Sequence, residues 1–215
     1  MTKSNTQAER LREVSRKRRE QEKEQLQRRI LDAAGELFLE FGYEGLSMRQ
    51  IAERIGYSAT TIYRHYESKD DLLFAIVYEG FVRFGRQLAK ASQSSGDLLL
   101  RLKALGRAYI EFGLKNPVYY QLMFMQRFDL LFEKRAAESA PIIASFGALE
   151  QIVKGAMQAR LLKPGDAETT SALIWAVVHG ITSLAIADSK RFTKKKVKQT
   201  AELSIHMILD GLRQR

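Results

Sequence analysis

The sequence predicts an all-α protein, with a three-helix N-terminal unit built on a helix-turn-helix and a larger C-terminal helical domain. Three observations lead there. Ser47 to Lys69 reads as two short helices folded about a glycine. Apolar residues recur at helical spacing on both sides of that stretch. Near the C-terminus, residues 171–187 contain no Asp, Glu, Lys or Arg, and a further amphipathic helix follows them.

Ser47 has Gln50 three residues later, a capping-box pattern in which each side chain satisfies a free N–H at a helix start. Ile51, Ala52 and Ile55 then share one side, leaving Gln50, Glu53 and Arg54 to water. Gly56 sits where the chain needs a left-handed backbone to stop. Ser58 can cap a second helix, with Ile62 as its inward anchor and Thr60, Thr61, Tyr63, Arg64 and His65 outward. Such a pair suits a helix laid in the DNA major groove. An ordinary helical hairpin with a polar solvent face fits the spacing equally well.

The first regular helix is expected from about Gln27, with Ile30, Ala34, Leu37 and Phe41 as its inner stripe beside Phe38, ending at Gly42. Residues 1–26 lack an apolar period and read as a mobile or partly helical arm. Ser68, Asp70 and Asp71 start a helix with its acids where the helix dipole favours them. That helix carries Leu72, Leu73, Ile76, Val77 and Phe81 and runs to about Ala91. A domain boundary is placed inside it, near Tyr78, giving a basic arm over 1–26, a helix-turn-helix domain over 27–78 and a regulatory and dimerisation domain over 79–215.

Beyond the small-polar break Ser92–Gly96, helices are expected over 97–115 and, after Asn116-Pro117, over 118–124. Residues 129–162 look partly helical, with a break near Ser139-Ala140-Pro141 and a helix through Phe146, Leu149, Val153 and Met157. The uncharged run 171–187 is short for a membrane span, contains Ser171, His179, Thr182 and Ser183, and has no second hydrophobic segment beside it. It reads instead as a helix buried on several sides, against its own domain and a second subunit. The last helix, about Thr193 to Gln214, carries Val197, Ala201, Ile205, Ile208 and Leu212, and the two together suit a four-helix interface across a two-fold axis.

The chain has 215 residues, 45% of them hydrophobic, ample for a buried core. The absence of cysteine excludes disulfides, a thiolate nucleophile and sulfur metal sites, and fits a reducing cytoplasm. The polar N-terminus does not read as a signal peptide. The net charge of +10 is concentrated in two places, ten Lys/Arg against five acids over residues 1–29 and six Lys/Arg between Lys190 and Lys198. Ahead of a DNA-binding domain the basic arm is suited to phosphate contacts or the minor groove; a solvated tail that aids solubility is the other reading. The run Lys194–Lys198 reads as a solvated surface.

Taken together, Arg29–Ala34 (RILDAA), Phe38, Phe41–Gly45 (FGYEG), the capped Ser47 helix, Thr61–Tyr66 (TIYRHY) and Ser68–Leu73 (SKDDLL) resemble the DNA-binding domain of the TetR (tetracycline repressor) family of transcriptional regulators. The match runs from about Gln27 to Val77 without a gap. Trp175, His179 and Gly180 also look like the W…HG signature of one C-terminal subclass, and Asn116-Pro117 with Tyr120 fits its pattern. The resemblance implies a helix-turn-helix DNA-binding domain and a C-terminal ligand-binding and dimerisation domain. Its expected partners are a palindromic double-stranded DNA operator, a second copy of the chain and a small-molecule effector, with no membrane, cofactor or metal. Carried over by position, Ser58, Thr60, Thr61, Tyr63, His65 and Lys69, with Ser47 and Arg49, are the expected DNA contacts. Thr60, Thr61 and Arg49 fall to bases, and Tyr63, His65 and Lys69 to phosphates, with Tyr66 half buried. Met48 and Ala59 depart from the family's hydrogen-bonding pattern.

Tyr109, Phe112, Tyr120, Met123, Phe124, Trp175 and His179 are the candidate lining of an effector pocket, apolar with a few polar groups. Each has a plain core reading as well. An enzyme is not expected, because His65, His179 and His206 fall on three separate helices and no phosphate loop is present. The alternative to a sequence-reading regulator is a charge-driven general nucleic-acid binder without an inducer site.

Overall fold

The computed structural model describes residues 3–94, 96–126 and 140–214, apart from the side chains of residues 3–6, 8 and 140–146. The described residues form helices and no strand, apart from one isolated bridge between Leu162 and Arg213. They pack as two units, Met1–Ile76 and Val77–Arg215.

In the first unit, α1 (Lys3–Gly45) starts at Lys3 rather than near Gln27. The arm lacks an apolar stripe, but it also lacks any Gly or Pro before Gly35 and is rich in strong helix formers. The i,i+4 pairs Glu13–Lys17 and Arg18–Glu22, at 2.9 and 2.8 Å, add a few tenths of a kcal/mol each. Further along, Ile30, Ala34, Leu37 and Phe38 are buried as the spacing predicts. Phe41 is not. At Gly42 the backbone leaves the helix (φ 71°), bringing Gly45 back against the Phe41 Cβ and leaving Phe41 48% exposed.

Helix α2 (Met48–Ile55) begins with the complete capping box of Ser47 and Gln50 and buries Met48, Ile51, Ala52 and Ile55. Gly56 takes the left-handed conformation (φ 75°, ψ 35°) and returns its N–H to the carbonyls of Ala52 and Glu53. Helix α3 (Ala59–Tyr63) follows at once, capped by Ser58 and anchored by the fully buried Ile62. Helices α1, α2 and α3 form one compact group, in which the short α2 and α3 depend on packing rather than on their own propensity.

Helix α4 (Lys69–Ser92) contains the boundary between the units. In the second unit, α5 (Leu98–Lys115) packs most extensively against α8 (Ala167–Ala187), and also meets α6 (Pro117–Phe124), α7 (Ala140–Gln158) and α9 (Lys194–Leu212). The close approach of α5 to α8 requires Gly113, where a Cβ would collide with Thr182 and Tyr120. Pro117 and Pro141 both lie in first turns, where no intrahelical N–H is lost. The expected helical character of residues 129–139 lies outside the described residues, as does the side chain of Phe146. Helix α8 is long and apolar enough to cross a bilayer by composition alone. It packs against three helices of its own unit, and its buried hydroxyls, Ser171 and Thr182, donate to the carbonyls of Ala167 and Val178 at 2.7 Å.

Candidate functional site

The turn between α2 and α3 and the start of α4 are each tied back to α1. Arg29 of α1 donates to the carbonyl of Ile55 at 2.7 Å, satisfying a helix-end acceptor, and its guanidinium lies 5.4 Å from the centre of the Tyr57 ring. At the start of α4, Asp70 accepts from Tyr43 at 2.5 Å, which with burial pushes the phenol up to about 12. Lys69 donates to the carbonyl of Tyr43 at 2.5 Å and lies 4.0 Å from the centre of its ring. The sequence reading missed Arg29 and Tyr43 as organisers. Both lay inside the motifs RILDAA and FGYEG, but their partners are 26 or more residues away.

Held in this way, α3 exposes Thr60 and Tyr63, with Thr61 and His65 half-buried beside them. The Thr61 hydroxyl is 2.9 Å from that of Ser58, which also accepts from the Thr61 N–H, so both side chains maintain the cap. The Thr60 hydroxyl has no hydrogen bond among the described residues and is open to a ligand. Ser47 is engaged in its own capping box, and the exposed Arg49 pairs with Glu53 at 3.0 Å. Met48 is buried and serves the core, and Tyr66 is buried rather than half-buried, with its N–H returned to the carbonyl of Ile62. Burial, and after it the charge of Lys23, holds the His65 imidazole below its ordinary pKa.

In the second unit, Tyr109, Phe112, Tyr120, Phe124, Trp175 and His179 lie in one aromatic cluster with Phe84. Met123 sits at its edge against Gly80. The cluster has a polar thread. Trp175 donates to the Tyr109 hydroxyl at 3.1 Å; Tyr109 and Tyr120 hydroxyls are 3.2 Å apart and lie 3.0 and 2.7 Å from His179 Nδ1. On the other side of the ring, Nε2 faces the Ser183 hydroxyl at 3.4 Å. A neutral imidazole protonated at Nε2 satisfies this arrangement, and burial lowers the His179 pKa accordingly. Burial also raises both phenols.

None of these seven residues lines a half-open groove of about 1070 Å³ between α5, α8 and α9. Its floor includes Ile110, Leu114, Phe192 and Val197, and Arg107, Lys194 and Lys198 stand among its lining. The sequence offered no signal for this groove, since its lining is gathered from α5, α8 and α9 with Pro117 of α6 and the connection between α8 and α9.

A three-helix unit presenting a short exposed helix across a capped turn, followed by a second helical domain, defines a helix-turn-helix protein of the regulator class. The chain belongs to the tetR family of bacterial regulatory proteins, whose model matches residues 30–76, while the tetracyclin repressor-like C-terminal domain matches residues 102–208. This is a family of transcription regulators rather than enzymes. The HTH-type transcriptional activator FasR of Mycolicibacterium smegmatis is 30% identical over 95 residues, and an HTH-type transcriptional regulator of Staphylococcus aureus is 33% identical over 119. These alignments cover 44% and 49% of this chain but only 43% and 64% of the two relatives' lengths. Among solved structures, AibR in complex with isovaleryl coenzyme A and operator DNA is 25% identical with a TM-score of 0.69, over 84% of this chain and 96% of that one.

Proposed function

We propose that this chain is a ligand-responsive transcriptional regulator that reads a palindromic DNA operator as a homodimer and represses until a small, mostly apolar molecule releases it. The observation that carries the DNA reading is the exposed face of α3 with Thr60 and Tyr63 outward, on a turn locked by Ser58, Gly56 and Arg29. In this reading Thr60, Thr61 and Arg49 meet base edges. Tyr63, His65 and Lys69 hold phosphates, Lys69 being already oriented by Tyr43, while Ser47 and Ser58 place the two helix starts. The dimer reading rests on Leu173 and Leu184 of α8 and Leu203 and Met207 of α9, large apolar side chains that are each about half or more exposed. At Gly180 a Cβ would meet nothing within 4 Å, leaving room for a partner's helix.

The effector site is the cluster around His179, where buried polar atoms meet an aromatic lining. AibR, with its acyl thioester ligand, supports an effector of acyl character. Occupancy alters DNA affinity only through a difference in binding between the two states of the dimer, and α4, shared by both units, is the element suited to carry it. The volume of the α5–α8–α9 groove favours a second reading, in which the effector binds there.

The test of the DNA reading compares Thr60→Ala and Thr61→Ala on selected operator and on random duplex. Losses confined to the operator, about 1–3 kcal/mol each, are expected. Equal losses on both DNAs would count against base reading and favour the charge-driven binder. For the effector, isovaleryl coenzyme A is titrated against the wild-type, His179→Asn and Leu114→Glu proteins. Loss of the DNA response in the first variant places the site at His179, and loss in the second places it in the groove.

A further inference from the structure

The arm of α1 continues without interruption the helix that packs against α2, with no departure from helical backbone before Gly42. Its charges can therefore be placed by angle. At 100° per residue, Arg12, Arg16, Arg19 and Lys23 fall within an arc of about 60°. Ile30, Ala34 and Leu37 lie in that same arc, on one side of the wider face that α1 buries in the N-terminal unit with Leu31, Ala33 and Phe38. Glu9, Glu13, Glu20 and Glu24 lie together on the neighbouring arc, and the remaining arm cations lie elsewhere, Lys17 paired with Glu13 and Arg18 with Glu22. None of Arg12, Arg16, Arg19 and Lys23 forms an ion pair with a described residue, although Arg16 is close enough to Glu13 to help hold that carboxyl low.

We propose that Arg12, Arg16, Arg19 and Lys23 form a rigid phosphate rail that lies along the duplex backbone beside the half-site read by α3. This rests on the DNA-binding reading given above. Three features select the partner. The stripe continues one side of the face that α1 buries in the N-terminal unit, and Lys23 acts electrostatically on His65 just beyond the C-terminal end of α3, so the rail begins next to the DNA-facing surface. Segregating cations from acids gives the helix a defined orientation toward an anion, which a tail serving solubility does not need. The stripe spans about 16 Å, over which duplex DNA presents about one phosphate charge per 1.7 Å. An α-helix of about 10 Å diameter does not enter a minor groove about 6 Å wide, so the arm crosses the backbone instead of reading bases. The minor-groove expectation for an extended arm gives way to sequence-independent grip.

The experiment measures the salt dependence of binding to a random 40-base-pair duplex for three full-length proteins. These are the wild type, the rail variant Arg12→Gln/Arg16→Gln/Arg19→Gln/Lys23→Gln, and a charge-matched control Arg10→Gln/Lys17→Gln/Arg18→Gln/Arg28→Gln. Glutamine keeps helix propensity, and circular dichroism checks that the arm stays helical. The slope of log affinity against log salt should fall by about 3 per arm in the rail variant and by less than about 1 in the control. Equal reductions in the two variants, or an unchanged slope in the rail variant while the wild type binds, overturn the rail alone. Failure of the wild type to bind any duplex overturns the DNA reading and the rail with it. Retention of the wild type, but not the rail variant, on acidic lipid vesicles with unaltered DNA slopes assigns the stripe to a membrane surface and also overturns the proposal.

Discussion

Two phenols share one acceptor in the second unit, and this sharing has a measurable consequence. A neutral imidazole protonated at Nε2 offers one lone pair, at Nδ1, so only one of Tyr109 and Tyr120 donates to it at a time. Tyr120, at 2.7 Å, holds the shorter contact, and Tyr109 then donates to the Tyr120 oxygen at 3.2 Å. In Tyr120→Phe the Tyr109 hydroxyl, already 3.0 Å from Nδ1, takes over the acceptor. One neutral hydrogen bond is lost, costing about 1 kcal/mol. Tyr109→Phe leaves the Tyr120 contact intact and removes the bond from Trp175, costing about 1–2 kcal/mol. With both phenols replaced, Nδ1 loses both donors in a half-buried site, and the desolvation penalty of about 1–3 kcal/mol appears for the first time. The double variant should therefore be less stable than the sum of the singles by at least about 1 kcal/mol. Urea denaturation at pH 8, where His179 is neutral, reads this directly. Additivity within about 0.5 kcal/mol would show that the phenols do not share the acceptor and would refute the network as drawn.

Other outcomes follow from the same structure. Ile62→Ala removes the fully buried anchor of a five-residue helix and should cost about 2–5 kcal/mol in the N-terminal unit and abolish operator preference, read by thermal melting and DNA titration. Because burial depresses the pKa of His179, the unfolded chain takes up a proton first as pH drops below about 6.5, so stability is full above that value and falls toward the lowered folded pKa. His179→Asn should flatten the decline in melting temperature between pH 8 and pH 5, with the similarly depressed His65 supplying the remaining slope. On the proposed dimer reading, Leu184→Glu with Met207→Glu should give a monomer in sedimentation velocity, where the wild type sediments as a dimer, without lowering helical content; an unchanged sedimentation coefficient would count against an interface on these faces of α8 and α9.

The helix-turn-helix was legible because its signals are local. The Ser47–Gln50 box, the stop at Gly56 and the Ser58 cap each lie within a few residues and appear as read. The helical arm was not legible from apolar periodicity, because a solvated helix held by propensity and i,i+4 charge pairs has no buried stripe to announce it. Phe41 fell outside the core because the backbone turns at Gly42, a tertiary outcome that spacing does not carry. In the C-terminal unit, six of the seven candidate effector residues converge in one cluster with Met123 at its edge, but which hydroxyl meets which imidazole nitrogen depends on how α5, α6 and α8 cross. The groove was invisible for the same reason. It is a gap between helices, and no single helix encodes it.

The central claim is that α3 reads sequence from a dimer. The most direct measurement is selection of bound DNA from a randomised duplex pool by the full-length protein at near-physiological salt, followed by sequencing. The account predicts enrichment of a palindrome whose half-sites are centred about one helical turn, roughly 34–36 Å, apart or a multiple of it. Recovery of unenriched sequence, with affinity collapsing as salt rises, would contradict it and leave a protein that grips DNA by charge alone.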